Sequence, residues 1–290
     1  MTSDLSGRRV LITGAARGIG AATARRLHER GARVVLAGIE PDELARTAAQ
    51  CGDALAVVCD VRDREQVEAA VEAAAEHLRG LDVVVANAGV AAQLPLVGGD
   101  PEVFERTIEV NLLGVYYTLR AAGEHIAHEQ GYALAISSLA AAVHIPLLGA
   151  YSASKAGVEA LANTLRIELA PTGARVGVAY FAELDTDMVR QGFGTAAAKR
   201  GAEIRRPVTR VSPLELGIDA IERGIARRSR RVVAPRWVAA ALPMRMLVQR
   251  AVERATGSSI EELLDIARGE NAPLTTPQQD TFTRAPHARS

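Results

Sequence analysis

The segment that most limits what this chain can become is an apolar run, residues 9–13. It passes without a break into Gly14-Ala15-Ala16-Arg17-Gly18-Ile19-Gly20 and then into the helical pattern AATARRLHERGA. A buried strand that ends in closely spaced glycines at a helix N-terminus lets backbone approach a pyrophosphate. The unpaired N–H groups and the helix dipole there favour the anion. The spacing is G-x-x-x-G-x-G and not the G-x-G-x-x-G of the common dinucleotide fingerprint. A tight turn that uses glycine for packing alone would look the same.

Further short apolar runs at 33–37, 54–58, 82–86, 132–137 and 175–181 read as buried strands, separated by longer amphipathic helical patterns. That alternation predicts an α/β fold, a doubly wound parallel sheet with helices on both faces. Pro41 and Pro101 each open a helix, and Pro171 with Gly173 ends the helix that begins near Tyr151. With 48% hydrophobic residues, the 290-residue chain can bury one large core. One domain, residues 1–235, is expected to carry the dinucleotide site and the chemistry. Within it, 187–212 is an excursion of the length used for lids. Pro213 opens another helix, 231–234 is a last strand, 236–268 is a helical extension and 269–290 is expected to be a disordered tail.

Several function classes are excluded at this level. Lys plus Arg equals Asp plus Glu at 34 each, so nothing global steers the chain to nucleic acid. No apolar stretch of signal-peptide length precedes Gly14, and the most apolar windows are interrupted well short of a membrane span. Cys51 and Cys59 form no disulfide framework and suit a reducing compartment. A cytoplasmic protein without a metal site is expected.

The residues with chemistry are Tyr151 and Lys155, four apart and therefore on one face of a helix. A phenol is a poor base at neutral pH until a nearby cation stabilises its phenolate. The chain has only two lysines, Lys155 and Lys199, against many arginines. A lysine at this spacing in so arginine-biased a chain is a selective signal, because a guanidinium fork is a different electrostatic object. Ser138 ends the fifth strand, where open parallel sheets place ligands, and its hydroxyl can bond a carbonyl or a developing alkoxide. Ser137 competes for that role. Asn111, in the apolar segment IEVNLLGVYY, is either a satisfied buried amide or a working one.

Thr13-Gly14-Ala15-Ala16-Arg17-Gly18-Ile19-Gly20, Asp60-Val61, Asn87-Ala88-Gly89, Asn111, Ser138 and Tyr151-Ser152-Ala153-Ser154-Lys155 occur in that order. The set resembles the non-extended branch of the short-chain dehydrogenase/reductase family over residues 5–235. The resemblance implies a Rossmann-like sheet and an NAD(P)-dependent alcohol dehydrogenase or ketoreductase. It implies cofactor contacts from Gly14, Arg17, Gly18, Ile19, Gly20, Asp60, Val61, Asn87, Ala88, Gly89, Tyr151, Lys155, Leu184 and Thr186, with Asp60 holding the adenine. It also implies that Asn111 orders a water joining Lys155 to solvent, and that the catalytic set is Asn111, Ser138, Tyr151 and Lys155. Homodimers or homotetramers through the helices near 102–124 and 151–169 follow from the same likeness.

Two departures matter. The family's usual Pro-Gly after the sixth strand is here Phe181-Ala182, followed by Glu183, an unexpected carboxylate near the pocket. At the end of strand two, Gly38-Ile39-Glu40 carries neither the Asp of an NAD-preferring member nor the Arg of an NADP-preferring one. The missing Asp leaves room for a 2′-phosphate beside Arg17, a leaning to NADP(H), although Glu40 could take the ribose hydroxyls instead.

Residues 139–148, with Ala140, Ala141, Ala142, Ile145, Leu147 and Leu148, together with the 187–212 segment, are expected to face a hydrophobic alcohol or ketone, and His144 is read as an ordinary loop histidine. Between residues 223 and 254, nine arginines face one acid, Glu253, among Trp237, Leu242, Met244, Met246 and Leu247. That apolar side is expected to roof the pocket or a subunit interface, with an anionic membrane surface as the alternative. A catalytically idle dinucleotide-binding regulator would not need Ser138, Tyr151 and Lys155 together, and an isomerase or dehydratase on the same fold is the other reading.

Overall fold

Seven strands, β1 (Arg9–Thr13), β2 (Arg33–Gly38), β3 (Leu55–Val58), β4 (Val83–Ala86), β5 (Tyr132–Ile136), β6 (Arg175–Phe181) and β7 (Arg231–Ala234), form one parallel sheet. Their order is β3-β2-β1-β4-β5-β6-β7. The computed structural model describes residues 5–190, 195–205, 211–270 and Leu274. This is the doubly wound Rossmann-like sheet expected from the alternating runs. The strands match those runs closely; the inner strands are buried on both faces, which leaves no polar alternation to blur them, whereas edge strand β3 alternates half-buried and exposed residues.

Successive strand residues point to opposite faces, so the inner strands feed two cores, while Ala56 and Val58 of edge strand β3 face outward. Leu11, Val35, Val84 and Ala133 pack with α3 (Arg64–Leu78), α5 (Gly114–Ala122) and α6 (Gly149–Glu168). Val10, Val34, Val83 and Tyr132 pack with α1 (Gly18–Glu29), α2 (Pro41–Ala49) and α9 (Leu214–Arg227). The α1 and α9 helices are also tied by Arg26 and Arg30 to the buried Glu222 carboxylate, each at 3.0 Å.

Between α4 (Pro101–Ile108) and α5 the helix widens to a π-helix over Glu109–Leu113, which holds Asn111. Such widened turns are frequent at functional sites.

The excursion at 187–212 contains α7 (Asp187–Arg190) and α8 (Ala196–Arg205), and the rest of it lies outside the described residues apart from Thr195, Val211 and Ser212. The extension holds α10 (Val238–Ala241), α11 (Arg245–Thr256) and α12 (Ile260–Arg268). Beyond Arg268 the described residues are Gly269, Glu270 and Leu274. The Glu270 carboxylate accepts the Ala196 and Ala197 amides at 2.5 and 3.1 Å, and Leu274 packs beside Leu94 and Phe104. The expected tail otherwise falls outside the described residues.

Candidate active site

The strand order reverses between β1 and β4, and ligands in open parallel sheets bind at that switch point. Gly14 ends β1 at φ +63°, and a Cβ there would lie 2.7 Å from the Ala88 Cα at the end of β4. Gly20 sits beneath the turn, where a Cβ would meet the Gly14 carbonyl oxygen at 2.2 Å. Asn87 ties the two strand ends together. Its side-chain amide donates to the Thr13 and Gly14 carbonyls at 2.9 and 3.1 Å, and its backbone N–H donates to the Thr13 hydroxyl at 3.1 Å.

At the start of α1 no side chain caps the free N–H groups, and the first turn holds no acid. Gly18 has φ +57° and open space where a Cβ would be. An uncapped helix end beneath a glycine cradle fits the pyrophosphate of a dinucleotide.

From that turn one cleft runs to the ends of β5 and β6. Every expected site residue lines it except Gly20 and Asn111, which lie behind it. Asn111 is fully buried, and its amide is satisfied by Val90 N–H and C=O at 2.8 and 2.9 Å and by the Ser154 hydroxyl at 3.2 Å.

At the far end, the Ser138 hydroxyl accepts the Ala140 amide at 3.1 Å and donates to the Phe181 carbonyl at 3.4 Å. Ser137 instead donates to the Lys155 carbonyl at 2.8 Å, which leaves Ser138 as the hydroxyl beside Tyr151. Burial raises the Tyr151 phenol above its ordinary value, and the neighbouring Ser138 hydroxyl acts the other way. Lys155, 3% exposed, donates to the Ile136 carbonyl at 3.0 Å. Burial lowers its ammonium to about 8. Chemically, the arrangement is a neutral phenol, a hydroxyl and a buried cation at the end of a dinucleotide-shaped cleft.

The sequence model of the short chain dehydrogenases matches residues 8–197. The chain belongs to the short-chain dehydrogenase family. It is 38% identical over 219 residues to the cis-4-hydroxycyclohexanecarboxylate dehydrogenase of Sinomonas cyclohexanicum, covering 74% of this chain and 87% of that one. It is 37% identical over 213 residues to the glycine betaine reductase ATRR of Emericella nidulans, covering 70% of this chain but only 17% of that much longer one. The crystal structure of a short-chain type dehydrogenase/reductase from Mycobacterium marinum superposes with a TM-score of 0.71 at 28% identity, covering 79% of this chain and 94% of that one. This dehydrogenase is thus an oxidoreductase of a family that binds NAD(P).

Two site residues are engaged differently from what the motifs imply. Arg17 is not free for a cofactor phosphate, because its guanidinium forks onto both carboxylate oxygens of Glu40, with Nε at 3.1 Å. The Asp60 carboxylate is held by Arg62, whose Nε and Nη2 approach to 2.8 and 2.5 Å. Glu183 does not line the cleft.

Nor does any of residues 139–148. Leu147 packs on Ala197 of α8 and Ala267 of α12, and exposed His144 has its backbone bonded to Gln249. The apolar wall beside Thr186 is made by Phe181, Met188 and Val189, the last two from the start of the 187–212 segment expected to face the substrate. Cys59 also lines the cleft, and burial pushes its thiol up to about 12. Among the described residues no cluster could hold a metal ion, and no helix is long and apolar enough to cross a membrane.

Proposed function

We propose that this dehydrogenase interconverts an apolar secondary alcohol and its ketone, with Tyr151 passing the proton. The observation that carries the reading is the convergence of Ser138, Tyr151 and Lys155 at the end of the cleft that begins at the Gly14 turn, with the Lys155 ammonium 5.6 Å from the Tyr151 ring centre. A bound nicotinamide supplies or receives the hydride. Ser138 orients the substrate oxygen, Tyr151 donates its proton to that oxygen in reduction or accepts it in oxidation, and Lys155 provides the charge that stabilises the phenolate. Gly14, Gly18 and Ile19 hold the pyrophosphate, Asp60 and Val61 border the adenine, Asn87, Ala88 and Gly89 back the ribose, and Leu184 and Thr186 flank the nicotinamide. Asn111 shapes the wall behind Lys155 and supports a water relay to it.

Phe181, Met188 and Val189 favour a ring or chain without charge at the reacting end. The Sinomonas relative is named for a substituted cyclohexanol, and alicyclic alcohols are the first class to try. Pairing of Arg17 with Glu40 favours NAD over NADP, against the leaning drawn from Gly38, since a 2′-phosphate would have to displace a carboxylate from its guanidinium. Exposed Tyr116 and Ile167 on α5 and α6 support assembly of a homodimer or homotetramer through those helices.

The test is formation of reduced cofactor with a panel of alicyclic alcohols, and its consumption with the ketones, using NAD and NADP side by side. Turnover confined to substrates without a hydroxyl or carbonyl would defeat the reading.

A further inference from the structure

The α10–α11 segment carries an apolar surface that the fold leaves open. Val238 and Leu242 are buried, and Val248 and Val252 pack against the core. Trp237, Met244, Met246 and Leu247 do not, and are 45%, 51%, 72% and 59% exposed. No residue of α11 is fully buried, so this helix lies on the rim of the molecule. The outward stripe of α11 is Leu247, Arg250 and Arg254, at the i, i+3, i+7 spacing of one helix face.

The charge around these side chains is one-sided. Arg236, Arg250 and Arg254 are exposed and make no ion pair among the described residues, while Arg245 reaches Glu159 at 3.2 Å. The one acid of the segment, Glu253, is bonded by Gln249 at 3.2 Å. A twofold contact would set this patch against its own copy and gather the unpaired arginines of both chains, Arg236, Arg250 and Arg254 of each, into one interface, which disfavours a second chain as the occupant. A helix with large apolar residues beside unpaired arginines matches an anionic lipid surface, where the rings and thioethers enter the headgroup boundary and the guanidinium groups meet phosphate.

We propose that Trp237, Met244, Met246 and Leu247 dock this dehydrogenase on anionic membrane surfaces, with Arg236, Arg250 and Arg254 as the electrostatic half of the contact. The docked segment is joined to the active-site region, because Gln249 bonds both backbone groups of His144 in the loop between Ser138 and Tyr151. Docking would hold that loop beside the lipid. The inference does not depend on which alcohol the enzyme uses.

Trp237 is the only tryptophan of the chain, so its emission reports the patch directly. The full-length protein is titrated with phosphatidylcholine vesicles, with and without phosphatidylglycerol, at low and high salt. The expected result is a blue shift and vesicle co-sedimentation with the anionic vesicles. Their partition coefficient should exceed that for neutral vesicles on the order of a hundredfold, at about fivefold per arginine. High salt should reverse it. Met246→Glu with Leu247→Glu should abolish binding, and Arg250→Glu with Arg254→Glu should reduce it at least tenfold. Both variants should keep wild-type turnover in lipid-free buffer. Absence of binding to anionic vesicles, or equal binding to neutral ones, would overturn the proposal. So would an emission already blue without lipid, together with a sedimenting mass that falls in the Met246/Leu247 variant, because a second copy would then cover the patch.

Discussion

The Lys155 ammonium nitrogen lies 5.6 Å from the centre of the Tyr151 ring and donates to the Ile136 carbonyl at 3.0 Å. The α6 helix sets the pair one turn apart, and the last carbonyl of β5 fixes the cation against the phenol. Such a placement costs stability, since an ammonium held out of water loses hydration that one carbonyl does not replace.

That cost sets a pH dependence. Lys155 titrates at about 8 in the fold against 10.5 in a free chain. Between those values the unfolded chain holds the proton and the folded chain does not, so this group makes stability rise with pH across that window. Below pH 8 the full penalty applies, on the order of 3 kcal/mol. Lys155→Met should therefore be more stable than wild type at pH 7, and the difference should shrink toward pH 10. Denaturant melts of the two apoproteins at several pH values check this; a gap that does not change with pH would contradict the burial of a charged lysine.

Glu40→Ala frees the Arg17 guanidinium and removes the carboxylate that would repel a 2′-phosphate. The ratio of kcat/KM for NADP to that for NAD should rise by about tenfold or more. Steady-state kinetics with both cofactors measure it. An unchanged ratio would place the specificity elsewhere than at the Arg17–Glu40 pair.

The Glu270 carboxylate closes the N-terminus of α8, across the chain from α12, whose Glu262 meets Arg200 at 2.9 Å. Glu270→Ala should loosen α8 by about 1 kcal/mol. Amide exchange should accelerate in residues 196–200, and the substrate KM should rise more than the cofactor KM. Equal effects on both would show that α8 does not border the substrate.

Ile167, 77% exposed on α6, has no intramolecular reason to be apolar. Ile167→Glu should lower the sedimenting mass without changing the melting temperature of the folded unit by more than a few degrees. A wild-type mass would move the subunit contact off this helix.

The sheet and the cleft-lining motifs were legible because each has a one-dimensional signature. Continuous apolar runs marked β1, β6 and β7, and the spaced glycines marked the turn after Thr13. What the sequence hid depends on geometry between distant residues. Arg17 and Glu40 are 23 positions apart, and nothing in their spacing shows that the arginine is already taken. The bracing role of Asn87 is invisible because its partners are backbone carbonyls. The π-helix at Glu109–Leu113 leaves the apolar periodicity almost unchanged, and Glu270 reaches Ala196 from 74 positions away. Residues 139–148 read as a substrate wall because they are apolar, but Leu147 spends that character on α8 and α12.

The central claim is that the Tyr151 hydroxyl moves the proton, and Tyr151→Phe tests it most directly. The substitution keeps the ring that packs beside Lys155 and removes only the phenol oxygen. Single-turnover oxidation of an alcohol that wild type accepts should slow by about a thousandfold or more, while cofactor affinity stays within severalfold of wild type. A rate within tenfold of wild type, with cofactor still bound, would contradict the assignment of Tyr151 as the acid and base.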